Sequence, residues 1–190
     1  MRRTGLMFAA IVLALIVGSG VALAATIRCD GGICEGTRDR DTLRGSTIRD
    51  VMYGFGARDN LYGNRGDDAM YGGEGIDRLR GGRGADEMNG GANNDNFFGW
   101  SGADEMRGGP DNDDFYAHAG ADYVYGGVGR DRMNGGPGRD HLYGNRYNDT
   151  IASQDGVFDV VNCGSGDYDA AVIDRNLDSV RNCENVYWQT

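Results

Sequence analysis

The stretch Gly72–Gly90, GGEGIDRLRGGRGADEMNG, contains one nine-residue unit written twice. The unit reads Gly-Gly-x-Gly-x-Asp-x-(Leu/Met)-x. Its first six positions predict a turn, because glycine adopts positive φ at no steric cost. Its last three predict a very short strand that directs one apolar side chain inward. The aspartate therefore stands where the turn becomes the strand.

The same unit recurs across most of the chain, from Gly36 to Ser153. Aspartate returns every nine residues without interruption, at Asp41, Asp50, Asp59, Asp68, Asp77, Asp86, Asp95, Asp104, Asp113, Asp122, Asp131, Asp140 and Asp149. An apolar residue follows each aspartate by two positions, at Leu43, Met52, Leu61, Met70, Leu79, Met88, Phe97, Met106, Phe115, Val124, Met133, Leu142 and Ile151. Such regularity over the 34 glycines favours an ordered repeat over a disordered glycine-rich segment.

The unit resembles the nonapeptide GGxGxDxUx of RTX (repeats-in-toxin) calcium-binding proteins. The resemblance implies an all-β fold, a right-handed parallel β-roll with two repeats, or eighteen residues, in each coil. Odd and even repeats then belong to different sheets. The methionines at 52, 70, 88 and 106 are expected in the core of one sheet, and Leu43, Leu61, Leu79, Phe97 and Phe115 in the other.

The resemblance also implies calcium, held between turns eighteen residues apart with an aspartate oxygen from each turn. Carboxylates and backbone carbonyls are the oxygen ligands that this hard cation prefers. Two edges of seven and six turns leave at most about eleven gaps for ions. The predicted carboxylate ligands are Asp59, Asp68, Asp77, Asp86, Asp95, Asp104, Asp113, Asp122, Asp131 and Asp140. The predicted turn carbonyls belong to Gly72, Gly73, Gly75, Gly81, Gly82, Gly84, Gly126, Gly127, Gly129, Gly135, Gly136 and Gly138.

The turns are not expected to bind calcium equally well, because position four of the repeat is not always glycine. It is instead Asp39, Ile48, Ala57, Asn93, Asp111 or Tyr147. Asn and Asp tolerate the left-handed region, whereas Ile, Ala and Tyr are less suitable. The strongest sites are predicted between Asp68, Asp86, Asp104, Asp122 and Asp140, and weak or absent binding at the terminal turns. In the alternative interpretation the aspartates only make turn hydrogen bonds.

Folding is expected to depend on the ion. Stacked carboxylates repel one another at strand spacing, and strands this short bury little apolar area in return.

The ends of the chain predict export and capping. Residues 1–24 combine Arg2 and Arg3, an apolar run and the site Ala22-Leu23-Ala24, which is typical of a cleaved signal peptide; an uncleaved membrane anchor is the alternative. Residues 25–35 and 154–190 are predicted to be the N-terminal and C-terminal caps of the roll at 36–153. In the second cap the spacing slips to ten residues, and Val157 to Val161 and Ala170 to Ile173 are predicted strands.

Four cysteines in an exported chain imply two disulfides. A roll of six to seven coils is roughly 30 Å long at the usual strand spacing, whereas disulfide Cα atoms lie within about 7 Å. Cysteines at opposite ends therefore cannot meet, which predicts Cys29–Cys34 and Cys163–Cys183. The chain has no Cys-x-x-Cys pair or His cluster that would indicate zinc.

Composition narrows the possible functions. A net charge of −10 disfavours nucleic acid and anionic membranes and favours cations. Catalysis is not expected, because the chain has no Gly-x-Ser-x-Gly elbow, no His-Glu-x-x-His and no Lys. The predicted function is a secreted, extracellular calcium-binding protein with a structural or adhesive role. The alternative is a glycan-binding or protein-binding module that uses outward Tyr and Arg residues and Trp100; cross-strand stacking is the simpler explanation of that face.

Overall fold

Two parallel sheets, one from the odd and one from the even strands, form the whole described fold. The computed structural model describes residues 24–175 and 177–189, and all regular structure in that part of the chain is β. The first sheet contains β1 Thr26–Arg28, β3 Thr42–Arg44, β5 Asn60–Arg65, β7 Arg78–Arg83, β9 Asn96–Ser101, β11 Asp114–Ala119, β13 Arg132–Asn134, β15 Thr150–Ser153, β17 Ala170–Asp174 and β19 Asn185–Gln189. The second contains β2 Gly32–Glu35, β4 Asp50–Gly56, β6 Ala69–Glu74, β8 Glu87–Ala92, β10 Glu105–Pro110, β12 Tyr123–Val128, β14 His141–Arg146, β16 Val160–Ser165 and β18 Ser179–Arg181.

The register confirms the eighteen-residue coil of the predicted β-roll. Leu61 lies beside Leu79 and Leu79 beside Phe97 in the first sheet, while Met70 lies beside Met88 in the second. Identical or similar side chains thus stack along the axis, one per coil. All of these apolar residues are completely buried. The core is a narrow stripe between the two sheets. It is formed by the apolar residues that follow each aspartate by two positions, as the sequence predicts.

The strands are longer than the sequence predicts. Most have six residues, because each continues from positions seven to nine of one repeat into positions one to three of the next. In β9, for example, Trp100 and Ser101 still pair with Gly82 and Arg83. Only positions four to six remain as the turn, so the prediction of a six-residue turn was wrong. Backbone hydrogen bonds of a parallel ladder form wherever two neighbouring coils run side by side, and they do not depend on the identity of the side chain. The strands therefore extend into the glycine-rich positions.

The sheets also continue into both predicted caps. Strands β1 and β2 pair with β3 and β4, and β16 to β19 add two further strands to each sheet. The roll therefore has about nine turns, more than the six to seven expected. The strand predicted from Val157 begins only at Val160, after a bend around Gly156, whereas the one from Ala170 is present.

Both predicted disulfides are present, one near each end of the roll. The Cα atoms of Cys29 and Cys34 lie 5.6 Å apart, and those of Cys163 and Cys183 lie 5.2 Å apart. The signal-peptide prediction falls almost wholly on residues 1–23, which lie outside the described residues. In the described part of the chain no helix is long and apolar enough to cross a membrane.

Candidate metal sites

The aspartates of the repeat are buried along both edges of the roll. Fifteen of them are 0–2% exposed, namely Asp41, Asp50, Asp59, Asp68, Asp77, Asp86, Asp95, Asp104, Asp113, Asp122, Asp131, Asp140, Asp149, Asp159 and Asp169. Burial of so many carboxylates is rare unless each is paired or holds a cation. The partners of their two oxygens therefore decide what this series does.

Oδ1 of each carboxylate accepts a hydrogen bond from the preceding coil and so holds the two coils in register. The backbone N–H of Asp68 donates to Oδ1 of Asp86 at 2.9 Å, and that of Asp86 donates to Oδ1 of Asp104 at the same distance. The pattern continues where the spacing slips, since Asp140 donates to Asp159 and Asp149 to Asp169. At the C-terminal end Asp178 and Glu184 take over as acceptors, from the amides of Asp159 and Asp169.

The second oxygen has no partner in most coils. Oδ2 is buried and without a hydrogen bond in twelve aspartates: Asp59, Asp68, Asp77, Asp86, Asp95, Asp104, Asp113, Asp122, Asp131, Asp140, Asp149 and Asp169. A buried carboxylate oxygen without a donor is strongly destabilising. An orphan acceptor that recurs once in each nine-residue repeat, and so twice in each coil, fits a series of bound cations along both edges, and all ten predicted carboxylate ligands belong to the set.

Near the ends of the roll, hydroxyl groups donate hydrogen bonds to Oδ2 of the aspartate. Oδ2 of Asp41 accepts from the backbone N–H and the hydroxyl of Thr37, at 2.6 and 2.8 Å. Oδ2 of Asp50 accepts from the same two groups of Ser46, at 2.7 and 3.0 Å. The hydroxyl of Ser153 donates to Oδ2 of Asp159. These three carboxylates are hydrogen-bonded through both oxygens.

The first glycine of the unit makes room for the orphan oxygen. A Cβ placed on Gly63 would lie 2.5 Å from Oδ2 of Asp68 and 2.5 Å from the carbonyl oxygen of Gly81 in the next coil. The predicted residues Gly72, Gly81, Gly126 and Gly135 stand in the same relation to their own aspartates. The aspartate Oδ2 and a carbonyl oxygen of the neighbouring coil thus lie close together, around a small space beside the first glycine.

Most inner turns have positive φ at position four, with Gly120 and Gly129 as the exceptions. At position four Ala57, Asn93, Asp111 and Tyr147 adopt positive φ, as the glycines there commonly do. The turns that contain Asp39 and Ile48 do not, and these are the turns closed by Thr37 and Ser46. Ala57 and Tyr147 keep the left-handed conformation although their side chains disfavour it.

Burial makes these carboxyls hard to ionise in the absence of a cation. Desolvation raises the pKa of Asp86 to about 8, with further contributions from the charges of Asp104 and Asp68. The pKa of Asp113 is raised to about 8 and that of Asp104 to about 6, in both cases mainly by burial. Backbone hydrogen bonds oppose the rise but do not cancel it. A site with this property binds either a proton or a cation tightly.

The donor set matches calcium better than a transition metal. Within residues 24–175 and 177–189 no three His, Cys, Asp or Glu side chains form a group that could hold a metal. Each gap between coils is therefore limited to two carboxylates, and further ligands have to be backbone carbonyls or water. Six to eight oxygens of this mixed kind suit calcium, whereas zinc prefers four nitrogen or sulfur ligands.

Sequence reasoning missed three features of these sites. It did not assign Oδ1 to a backbone amide, and it did not include Asp149 or Asp169 among the predicted ligands. It also overlooked Thr37 and Ser46. The available signal was a hydroxyl residue at position two of the first two turns, where the inner repeats have none.

The outward faces show the predicted stacking. The guanidinium of Arg80 lies between Tyr62 and Phe98, 5.5 and 5.2 Å from their ring centroids, and Arg44 covers the other face of Tyr62. On the second sheet Tyr125 stacks on Tyr143. The simpler explanation of the Tyr and Arg rows therefore holds for these residues.

The fold and its buried aspartates define a class, the parallel β-roll with metal sites between coils. The RTX calcium-binding nonapeptide repeat matches the chain in four copies, over residues 35–70, 71–106, 101–133 and 134–157. The chain belongs to this family. No curated protein matches it.

Proposed function

We propose that this chain is an exported calcium-binding β-roll that folds on extracellular calcium and serves a structural or adhesive role. The observation that carries the proposal is the series of twelve buried, unpartnered Oδ2 atoms. Calcium between coils neutralises these charges and supplies the interaction that the carboxylates lack. The family match supports calcium as the ion.

The pattern of hydrogen bonds supports calcium at the coils whose Oδ2 atoms lack a partner. Seven unpartnered carboxylates on one edge, from Asp59 to Asp169, bound six gaps, and five on the other, from Asp68 to Asp140, bound four. Ten ions is then the upper limit, one fewer than the eleven expected from the repeat alone. The turns of Asp41, Asp50 and Asp159 are expected to stay free of calcium.

Two features support an extracellular location. The disulfides Cys29–Cys34 and Cys163–Cys183 fit an oxidising compartment. Calcium outside cells is abundant enough for weak sites to fill, and extracellular modules are tuned to such concentrations. Secretion through a cleaved signal at residues 1–24 completes the proposal, which includes no catalytic role.

The test is circular dichroism of the protein recovered from the medium of an exporting host, in EDTA and then with calcium raised to 10 mM. A cooperative coil-to-β transition with calcium and none with magnesium is expected. N-terminal sequencing checks cleavage before Ala25. A complete β spectrum in EDTA together with no calorimetric calcium signal would contradict calcium-driven folding.

A second candidate is a glycan-binding or protein-binding role for the outward face of the first sheet. The observation that favours it is a shallow groove around Arg80 and Trp100 that the stacking described above does not fill. The carboxylates of the metal sites lie at the edges of the roll and the groove lies on a sheet face, although Gly81 and Gly82, which are among the predicted turn carbonyls, also line the groove.

A further inference from the structure

A groove of about 550 Å³ runs across three neighbouring strands, β5, β7 and β9, on the outward face of the first sheet. Its residues are Tyr62, Asn64, Arg65, Arg80, Gly81, Gly82, Arg83, Trp100 and Ser101. The volume is in the range of small-molecule sites. The groove exists because Gly82 stands between Asn64 and Trp100 in the column of second repeat positions and contributes no side chain.

The groove is basic on an acidic protein. Arg65 and Arg83 are adjacent in register, one coil apart, and both are exposed. Among the described residues only Arg107 and Arg132 form salt bridges, so the groove arginines lack carboxylate partners. Nε of Arg80 is buried and has no hydrogen-bond partner. Three arginines line this groove on a chain of net charge −10, which favours an anionic ligand.

Trp100 supplies an aromatic platform at one end of the groove. Its side chain is 52% exposed although it stacks on His118, with ring centroids 5.1 Å apart. Its φ is +75°, as is common at the second repeat position in both sheets, where Gly82 and Gly91 but also Phe55 and His118 have positive φ. A bulky residue in that conformation is strained, and glycine would remove the strain. Phe55 and His118 adopt the same conformation at this repeat position, so it is the exposure of the Trp100 ring, and not its backbone strain, that makes it available to a ligand.

We propose that this groove binds an anionic polysaccharide, with Arg65, Arg80 and Arg83 on its carboxylate or sulfate groups and Trp100 against a sugar ring. Guanidinium groups pair with such oxyanions through two parallel hydrogen bonds. An open groove along a sheet suits a chain ligand that enters and leaves at both ends. Free phosphate would use the arginines but not the tryptophan. The inference deepens the second candidate function and is independent of whether calcium drives folding.

The experiment is calorimetric titration of the protein with a heparin-derived hexasaccharide and with hexagalacturonate, with cellohexaose as the neutral control. Circular dichroism is recorded first, in calcium and in EDTA, so that failure of calcium-driven folding is seen separately. If the protein is β-structured without calcium, the titration is done in EDTA. Binding of at least one anionic hexasaccharide and none of cellohexaose is expected.

Variants then locate the site. Arg83→Gln should weaken binding at least tenfold, and Trp100→Gly at least fivefold with no loss of thermal stability. Matched controls lie on the second sheet: Arg146→Gln at the same third repeat position, and Phe55→Gly at the same second position with φ of +77°. Both controls should leave affinity unchanged.

Four outcomes would overturn the proposal, three of them in the experiments above. Those three are no binding of either anionic sugar, equal binding of cellohexaose, or equal losses in the groove variants and their controls. The fourth is tighter binding of inorganic phosphate or of an acidic peptide, each titrated in parallel, because the tryptophan would then have no sugar to contact.

Discussion

The backbone amide of Asp86 donates a 2.9 Å hydrogen bond to Oδ1 of Asp104, eighteen residues further along the chain. The same carboxylate leaves Oδ2 buried and unpartnered. Each inner aspartate is therefore divided between two tasks, since one oxygen fixes the register of neighbouring coils and the other is left for a cation. Register and metal binding are thus coupled in a single side chain.

Replacing Asp86 by Asn should weaken calcium binding while keeping the coil register. Asn retains an oxygen for the amide of Asp68 but presents an NH₂ group where the cation is expected. Asp86 borders two gaps, so the calorimetric stoichiometry should fall by two, or the midpoint of calcium-induced folding should rise about tenfold, ~1.4 kcal/mol.

Asp39→Asn is the charge-matched control, because Asp39 is exposed in an end turn that is closed by Thr37. It should leave stoichiometry unchanged. An equal loss in both variants would argue against cations at the inner coils.

Without calcium, stability should fall as pH rises. Burial raises the pKa of Asp95 and Asp149 to about 8 and that of Asp68 to about 6, from an ordinary value of 3.8. The folded state then binds protons more tightly than the unfolded chain, so the free energy of unfolding is highest below pH 4 and declines through pH 6 to 8. Circular dichroism in EDTA from pH 8 down to pH 4 measures the difference, as the fraction of β structure that protonation restores.

Calcium should reverse that dependence. Protons compete with the ion for Oδ2, so the calcium-loaded protein should lose stability as pH falls below about 6. Sedimentation velocity at each pH separates folding from acid-induced association. Stability in EDTA that is constant with pH or greatest at pH 8 would mean that the buried carboxylates are already satisfied.

The first glycine of the repeat should not tolerate a methyl group. In Gly63→Ala the added carbon would collide with Oδ2 of Asp68 and with the carbonyl of Gly81, so we expect a loss of about 2 kcal/mol even with calcium bound. Gly56→Ala is the control, since its nearest atoms lie 3.9 Å away. That change should be neutral or stabilise by about 0.5 kcal/mol. Thermal melts of both variants decide; similar melting temperatures would show that the space is not tightly filled.

Removing an end hydroxyl should affect stability but not calcium. Ser46→Ala deletes the 3.0 Å bond to Oδ2 of Asp50, and we expect a loss of about 1–2 kcal/mol. Calcium stoichiometry should stay the same. Ser165→Ala serves as the control, because its hydroxyl bonds an exposed carbonyl, that of Asn145. A gain of one calcium in Ser46→Ala would show that the hydroxyl stands in for an ion, whereas a loss would place calcium at Asp50 already.

The sequence determined the repeat, the coil length, the sheet to which each apolar residue belongs and both disulfide pairs. These features depend on spacing along the chain. A coil of eighteen residues, for example, is enough to place Met70 beside Met88. The resemblance of the unit to the RTX nonapeptide also implied calcium, and Asp and Gly at fixed intervals offer the oxygen ligands that this ion prefers.

Only the tertiary structure decided which oxygen of each aspartate is used, where the ladder ends and where the groove lies. Oδ1 and Oδ2 are equivalent in the sequence and become different only when a backbone amide eighteen residues away reaches one of them. The bonds from Thr37 and Ser46, and the meeting of Arg65, Arg80 and Trp100, likewise join residues whose contact depends on how stacked coils approach. Spacing sets which residues are neighbours, but hydrogen-bond geometry and packing set which atoms meet.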